Sequence, residues 1–138
     1  MSAVSELRLR NQLAELQRLS EWIAEAARVN QWPRSLAHAV ELALVEWVTN
    51  VISYAYPNSQ EHWLTVRLET GASEIRAEVV DEGNAFNPLT HPPVDINAPL
   101  EQRAIGGLGV HMMRKLMDEV KYCRNGERNI VTMIKRRK

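Results

Sequence analysis

Three short segments carry side chains whose types and spacing could do chemistry. Glu46 and Asn50 lie four apart in Glu46-Trp47-Val48-Thr49-Asn50, which puts both on one face of a helix beside its apolar stripe. A carboxamide oxygen there suits a hard cation such as Mg²⁺, which keeps several waters and takes few protein ligands. A carboxylate there can orient or deprotonate a hydroxyl or a water. The same two residues also suit an ordinary hydrogen-bonded pair at a helix border. Asp81-Glu82-Gly83-Asn84-Ala85-Phe86-Asn87-Pro88 directly follows an apolar, strand-like run. An acid at a strand end can accept a hydrogen bond from an exocyclic amine, and Gly83 lets a flat ring approach the backbone. Plain turn chemistry explains the segment equally well. Ile105-Gly106-Gly107-Leu108-Gly109-Val110 opens a helix, where successive backbone N–H groups and the positive helix end favour phosphate. Neither a Gly-x4-Gly-Lys-Ser/Thr loop nor a strand-linked Gly-x-Gly-x-x-Gly unit is present, which removes the two commonest nucleotide folds.

The elements that must position these segments follow from hydrophobic period. Residues 4–10 alternate apolar and polar, as a half-buried strand does. A helix is expected from Asn11 to about Asn30, with Leu13, Leu16, Ile23 and Ala27 on one face. Trp32-Pro33-Arg34-Ser35 breaks the pattern, and Ser35 is the expected N-cap of the next helix. That helix, about 36–56, carries the broad stripe Val40, Ala43, Leu44, Trp47, Val48, Val51 and Ala55 and ends at Pro57-Asn58-Ser59. Residues 63–68 and 75–80 form a hairpin pair of strands around the connector 70–73. Residues 81–109 hold four of the six prolines and show no period, so they are expected to be a functional loop. A helix from Val110 to about Met117 and strands 119–124 and 129–135 complete the chain, joined by the turn 125–128. The order β-α-α-β-β-loop-α-β-β predicts one α+β domain, an antiparallel or mixed sheet with helices on one face.

Composition narrows the function classes. The chain has 138 residues, 45% hydrophobic and 25% charged, which suits a globular domain with a real core. Its single cysteine, Cys123, excludes a disulfide framework and a Cys-rich zinc site; it is expected to be a small buried or half-buried hydrophobe in a strand. The four histidines, His38, His62, His91 and His111, show no metal spacing, and Trp22, Trp32, Trp47 and Trp63 are expected as core or interface anchors. No apolar run approaches the roughly 20 residues of a bilayer span, and the N-terminus lacks a signal pattern, so a cytoplasmic protein is expected. A formal net charge of zero hides an asymmetry: residues 114–138 hold nine basic and three acidic groups. No aromatic side chain is interleaved with the basic run 135–138, so a solvated strand and tail is preferred over nucleic-acid binding.

Together the three segments are more specific than any one of them. Glu46-Trp47-Val48-Thr49-Asn50, Asp81 to Pro88, and Gly106-Gly107-Leu108-Gly109 with Met117-Asp118-Glu119-Val120 resemble the N, G1 and G2 boxes of a known family. It is that of the anti-sigma-factor serine/threonine kinases of bacterial partner switching, the RsbW and SpoIIAB type, within the GHKL ATPase superfamily. The resemblance implies the Bergerat ATP-binding fold, a two-layer α/β sandwich formed by residues 1–138 with 87–105 as an ATP lid. It implies that Asp81 binds the adenine amino group, Gly83 admits the ring, and Asn50 coordinates Mg²⁺. It further implies Glu46 as base or orienting group, phosphate contacts from Gly107, Leu108 and Gly109, and Thr132 near adenine. Arg103 is placed by its position before the glycines as a group reaching the terminal phosphate. The implied reaction is phosphoryl transfer from ATP to a STAS-domain antagonist, with a sigma factor or another effector as the second partner and a homodimer as the assembly. Ala85 departs from the family pattern, which often has a second glycine there. A nucleotide-gated binding module without turnover is the alternative; neither membrane nor direct nucleic-acid contact is implied.

Overall fold

The computed structural model describes residues 3–56, 61–90 and 107–137. Strands β1 (Ala3–Arg10), β2 (Trp63–Thr70), β3 (Glu74–Asp81), β4 (Glu119–Asn125) and β5 (Arg128–Arg136) form one sheet in the order β1-β2-β3-β5-β4. Every pairing is antiparallel, which resolves the antiparallel-or-mixed expectation. Helices α1 (Leu16–Val29), α2 (Arg34–Asn50) and α3 (Gly107–Leu116) pack on one face. The pleat explains this. Leu9, Leu64, Val66, Leu68, Ile75, Ala77, Val79, Val131 and Met133 alternate along their strands and are buried against Leu19, Ile23, Leu44, Trp47 and Met113 of the helices. The other sheet face carries the interleaved charged residues, such as Glu6, Arg67 and Glu78.

Several boundaries differ from the sequence expectation, each for a local reason. Asn11 does not open a helix. Its Oδ1 accepts the His62 N–H at 2.8 Å and its own N–H donates to His62 O at 3.0 Å, pinning the end of β1 to the entry of β2. The chain then takes a short 3-10 turn, Leu13–Glu15, which leaves Leu13 exposed; Leu19 joins the expected Ile23 on the buried face of α1. The next helix starts at Arg34 with Pro33 as its cap residue, because Pro33 O already accepts the Ala37 N–H at 2.9 Å; Ser35 falls inside the first turn. The helix ending at Pro57-Asn58-Ser59 lies partly outside the described residues, as do residues 91–106 with Arg103, Gly106 and most of the lid. Of the lid, Pro88–Thr90 form a 3-10 turn begun by Asn87, whose Oδ1 accepts the Leu89 N–H at 2.8 Å.

The segment Arg34–Ala55 corrects one further expectation. It is 22 residues long with a mean hydropathy of 1.2, enough by length and composition for a membrane span. Here the apolar character has another use: Val40, Ala43, Leu44, Trp47, Val48 and Val51 are all in the core. Cys123 also departs from expectation and is exposed. It lies on the edge strand β4 opposite Ile130, on the sheet face away from α1, α2 and α3.

α1 ends in a Schellman arrangement, with Trp32 N–H on Ala27 O at 2.9 Å and Gln31 N–H on Arg28 O at 3.3 Å. That geometry puts Gln31 at φ 54°, in the left-handed region where a Cβ is disfavoured by about 1–2 kcal/mol. Gln31→Gly relieves this and loses about 0.4–1 kcal/mol through the greater freedom of the unfolded chain. The expected net result is a gain of about 0.5–1 kcal/mol in urea unfolding; a loss of stability would contradict the assignment.

Candidate nucleotide site

The site is built where the C-terminal end of α2 meets the end of β3. Thr49 Oγ1 donates to Val45 O at 2.6 Å and Asn50 Nδ2 donates to Glu46 O at 2.7 Å. These two side-chain bonds engage carbonyls of the helix ladder just before its last turn, and such back-bonding loosens a helix. The chain widens into a π turn at Val51–Ala55, a feature common at functional sites. The sequence predicted one uninterrupted helix here. The widened turn delivers Ala55 O to the Asn84 N–H at 2.6 Å, tying the helix end to the loop after β3.

Gly83 is pressed into the same junction. A Cβ at this position would lie 2.6 Å from Ala55 O and 2.7 Å from Ala55 Cβ, so no larger residue fits without moving backbone. The glycine is therefore demanded by the end of α2, a reason the sequence reading did not contain. Beside it, Asp81 is buried at the end of β3. Its Oδ1 accepts two hydrogen bonds of 2.9 Å, from the Gly83 N–H and from Asn129 Nδ2. Among the described residues no donor reaches Oδ2. Burial raises the Asp81 pKa above its ordinary value, opposed by the bonds from Asn129 and Gly83 and by the nearby Arg124 guanidinium. A buried carboxylate with one oxygen unclaimed is matched to a ligand N–H donor, which is what an adenine amino group offers.

Asn129 is the residue that sequence reasoning missed. It faces Asp81 directly across the β3–β5 ladder and is almost wholly buried. Its Nδ2 also donates to Asn84 O at 2.8 Å, while its Oδ1 accepts the Tyr122 hydroxyl at 2.5 Å and the Phe86 N–H at 3.4 Å. One carboxamide thus holds the carboxylate and the loop together. Thr132, expected beside adenine, is half-buried opposite Glu78. It lies three residues from Asn129, and an odd step along a strand reverses the face. Thr132 therefore faces away from Asp81, and Asn129 is the β5 residue beside that carboxylate. The strand alternation in Asn129-Ile130-Val131-Thr132 contained that signal, since Val131 and Met133 are the core residues.

The remaining expected residues are partly within view. Asn50 is buried and Glu46 half-buried on the same helix. With the Asn50 amide nitrogen bound to Glu46 O, its carboxamide oxygen is the atom available to a hard cation. No cluster of three or more His, Cys, Asp or Glu suited to a metal occurs among the described residues, so a cation here would need ligand oxygens besides Asn50. The backbone of α3 begins at Gly107, three residues before the expected Val110, so Gly107, Leu108 and Gly109 form its first turn. Their N–H groups belong to the first turn of a helix, where phosphate oxygens are favoured.

The raised Asp81 pKa has a defined consequence for stability. The folded state holds this proton more tightly than the unfolded chain, so the contribution is complete below the ordinary value of 3.8 and is lost as pH rises through the folded value. Without nucleotide, Asp81→Asn should therefore be at least as stable as the parent at pH 7, and its advantage should shrink as pH falls toward 4. Urea unfolding at both pH values checks this; a variant clearly less stable at pH 7 would contradict it.

Comparison with known proteins agrees with this geometry. A family model described as histidine kinase-like ATPase domain matches residues 9–135. The serine-protein kinase RsbW of Listeria monocytogenes is 29% identical over 86 residues, covering 59% of this chain and 55% of that protein. RsbW of Bacillus subtilis is 28% identical over 86 residues, covering 59% and 54%. The serine/threonine-protein kinase BtrW of Bordetella bronchiseptica is 23% identical over 112 residues, covering 81% and 79%. The chain spans about half the length of the RsbW relatives it matches. A crystal structure of the RsbU and RsbW domains of a Mycobacterium tuberculosis protein shares the fold, with a TM-score of 0.70 and 15% identity over 97% of this chain and 32% of that one. From the end of β1 to the last residues of β5, the chain belongs to the histidine kinase-like ATPase domain family.

Proposed function

We propose that this chain is a protein serine/threonine kinase that uses ATP and Mg²⁺ to phosphorylate a STAS-domain antagonist, and that it also sequesters a sigma factor or another effector. The observation that carries the reading is the buried Asp81 carboxylate, clamped through Oδ1 and open to a donor at Oδ2. ATP would supply the phosphoryl group, and Asn50 would hold Mg²⁺ through its carboxamide oxygen, where the cation would offset phosphate charge. In this reading Asp81 selects the adenine amino group, with Gly83 shaping the loop beside it. Gly107, Leu108 and Gly109 hold phosphate through backbone N–H groups, and Arg103 reaches the terminal phosphate. Glu46 orients the attacking hydroxyl and takes its proton. Such transfer depends mostly on positioning and electrostatic stabilisation, so this short set of groups is sufficient. Residues 1–138 act as one domain, with 87–105 as a lid whose prolines reduce the entropy lost on closing. A homodimer in the cytoplasm, free of direct nucleic-acid contact, completes the proposal.

The kinase relatives favour turnover over a purely nucleotide-gated binding switch, as does the presence of Glu46. Incubation with Mg-ATP and a STAS-domain protein encoded beside this chain should yield a phosphorylated serine or threonine. Glu46→Ala should lower that rate by about 10²–10⁴-fold while ATP binding persists. ATP binding without transfer to any STAS candidate would leave the switch reading in place and remove the kinase.

A further inference from the structure

The basic C-terminal segment has a destination that the nucleotide site does not use. A groove of 570 Å³ runs between the start of α2, the end of α3 and the end of β5. Leu36, Ala39 and Leu116 give it an apolar floor, and Lys115, Lys135, Arg136 and Arg137 give it a cationic wall. No acidic residue lines it among the described residues. Two of the four cations have work elsewhere: Arg136 pairs with Glu119 at 3.2 Å, and Arg137 donates to Gly71 O at 3.2 Å. Lys115 and Lys135 make no ion pair or side-chain hydrogen bond among the described residues. The groove meets α2 at Ser35, Leu36 and Ala39, about 16–22 Å along the helix from Asn50 at about 1.5 Å per residue.

We propose that this groove is a docking surface for an acidic, partly apolar segment of a partner protein. Unpaired cations around an apolar floor match a peptide whose carboxylates meet Lys115 and Lys135 while its aliphatic side chains cover Leu36, Ala39 and Leu116. Nucleic acid fits less well, because no aromatic side chain lines the groove to stack a base. A bilayer fits less well too, since the apolar atoms lie at the bottom of a recess rather than on a projecting face. The inference is independent of whether the chain turns over ATP.

The test is an NMR titration of the full-length, ¹⁵N-labelled chain with a blocked twelve-residue peptide of repeating Asp-Leu-Glu. The largest amide shifts should fall at residues 35–39, 115–116 and 135–137. Affinity should fall at least tenfold between 50 and 500 mM NaCl, and at least tenfold in the double variant Lys115→Glu/Lys135→Glu. If that variant does not fold, Lys115→Glu alone, on the exposed side of α3, should still weaken binding measurably. Shifts centred elsewhere, or affinity unchanged by the lysine substitutions, would overturn the proposal. So would tighter, lysine-dependent binding of a twenty-residue oligothymidine or of phosphatidylserine vesicles. Sedimentation showing a dimer that the same substitutions dissociate would reassign the groove to a second copy of this chain.

Discussion

The close approach of Gly83 to the backbone of Ala55 decides where the chemistry of this chain can sit. A Cβ at residue 83 would overlap the last carbonyl of the π turn, so only glycine lets the loop after β3 rest on the end of α2. Once it rests there, Asn84 N–H reaches Ala55 O, and Gly83 N–H turns onto the Asp81 carboxylate. The helix carrying Glu46 and Asn50 and the strand carrying Asp81 thereby become one rigid corner. Overpacking a contact of this kind typically costs about 1–3 kcal/mol, and here the strain would fall on the site itself.

The corner is completed from the other side by a network centred on Asn129. Tyr122 and Phe86 donate to its oxygen, and its nitrogen serves Asp81 and Asn84. Arg124 adds a bond of 2.8 Å to Gly83 O and supplies the nearby positive charge. Trp47 packs against Phe86 beneath the loop, with ring centroids 5.1 Å apart. A buried carboxylate without a direct ion-pair partner is costly, and the network reduces that cost while leaving one oxygen unclaimed. A further polar atom nearby, Trp47 Nε1, is buried with no hydrogen-bond partner among the described residues, and the Tyr56 hydroxyl is buried beside the Glu82 backbone. Burial and the charges of Asp81 and Glu82 hold the Tyr56 phenol firmly protonated. This is the part of the domain where stability is least optimised, as is usual where a ligand is to be met.

Much of this was legible in the sequence, and the misses share a cause. Alternation at residues 4–10 and the stripe from Val40 to Val51 are local patterns, and β1 and α2 formed on them, with the π turn at Val51–Ala55 as the departure. Asp81, Glu46 and Asn50 were visible because strand-end acids and four-residue helical spacings are also local. Thr132 came from the resemblance alone, and it is the ladder register that sets Asn129 opposite Asp81 and turns Thr132 to the other face. Ser35 lost its capping place to Pro33 and Cys123 proved exposed for similar reasons, one a backbone bond and the other an edge position. The π turn depends on an acceptor shared with a loop about thirty residues away. The basic segment read as a solvated tail until α2, α3 and β5 converged around it.

The central claim is that Asp81 Oδ2 awaits an N–H donor from an adenine ring. Isothermal calorimetry with ATP and with inosine triphosphate, which replaces that amino group by a carbonyl, tests it most directly. A lost hydrogen bond to a charged acceptor costs about 1.5–3 kcal/mol, so inosine triphosphate should bind at least tenfold more weakly. Equal affinity for the two nucleotides would contradict the account.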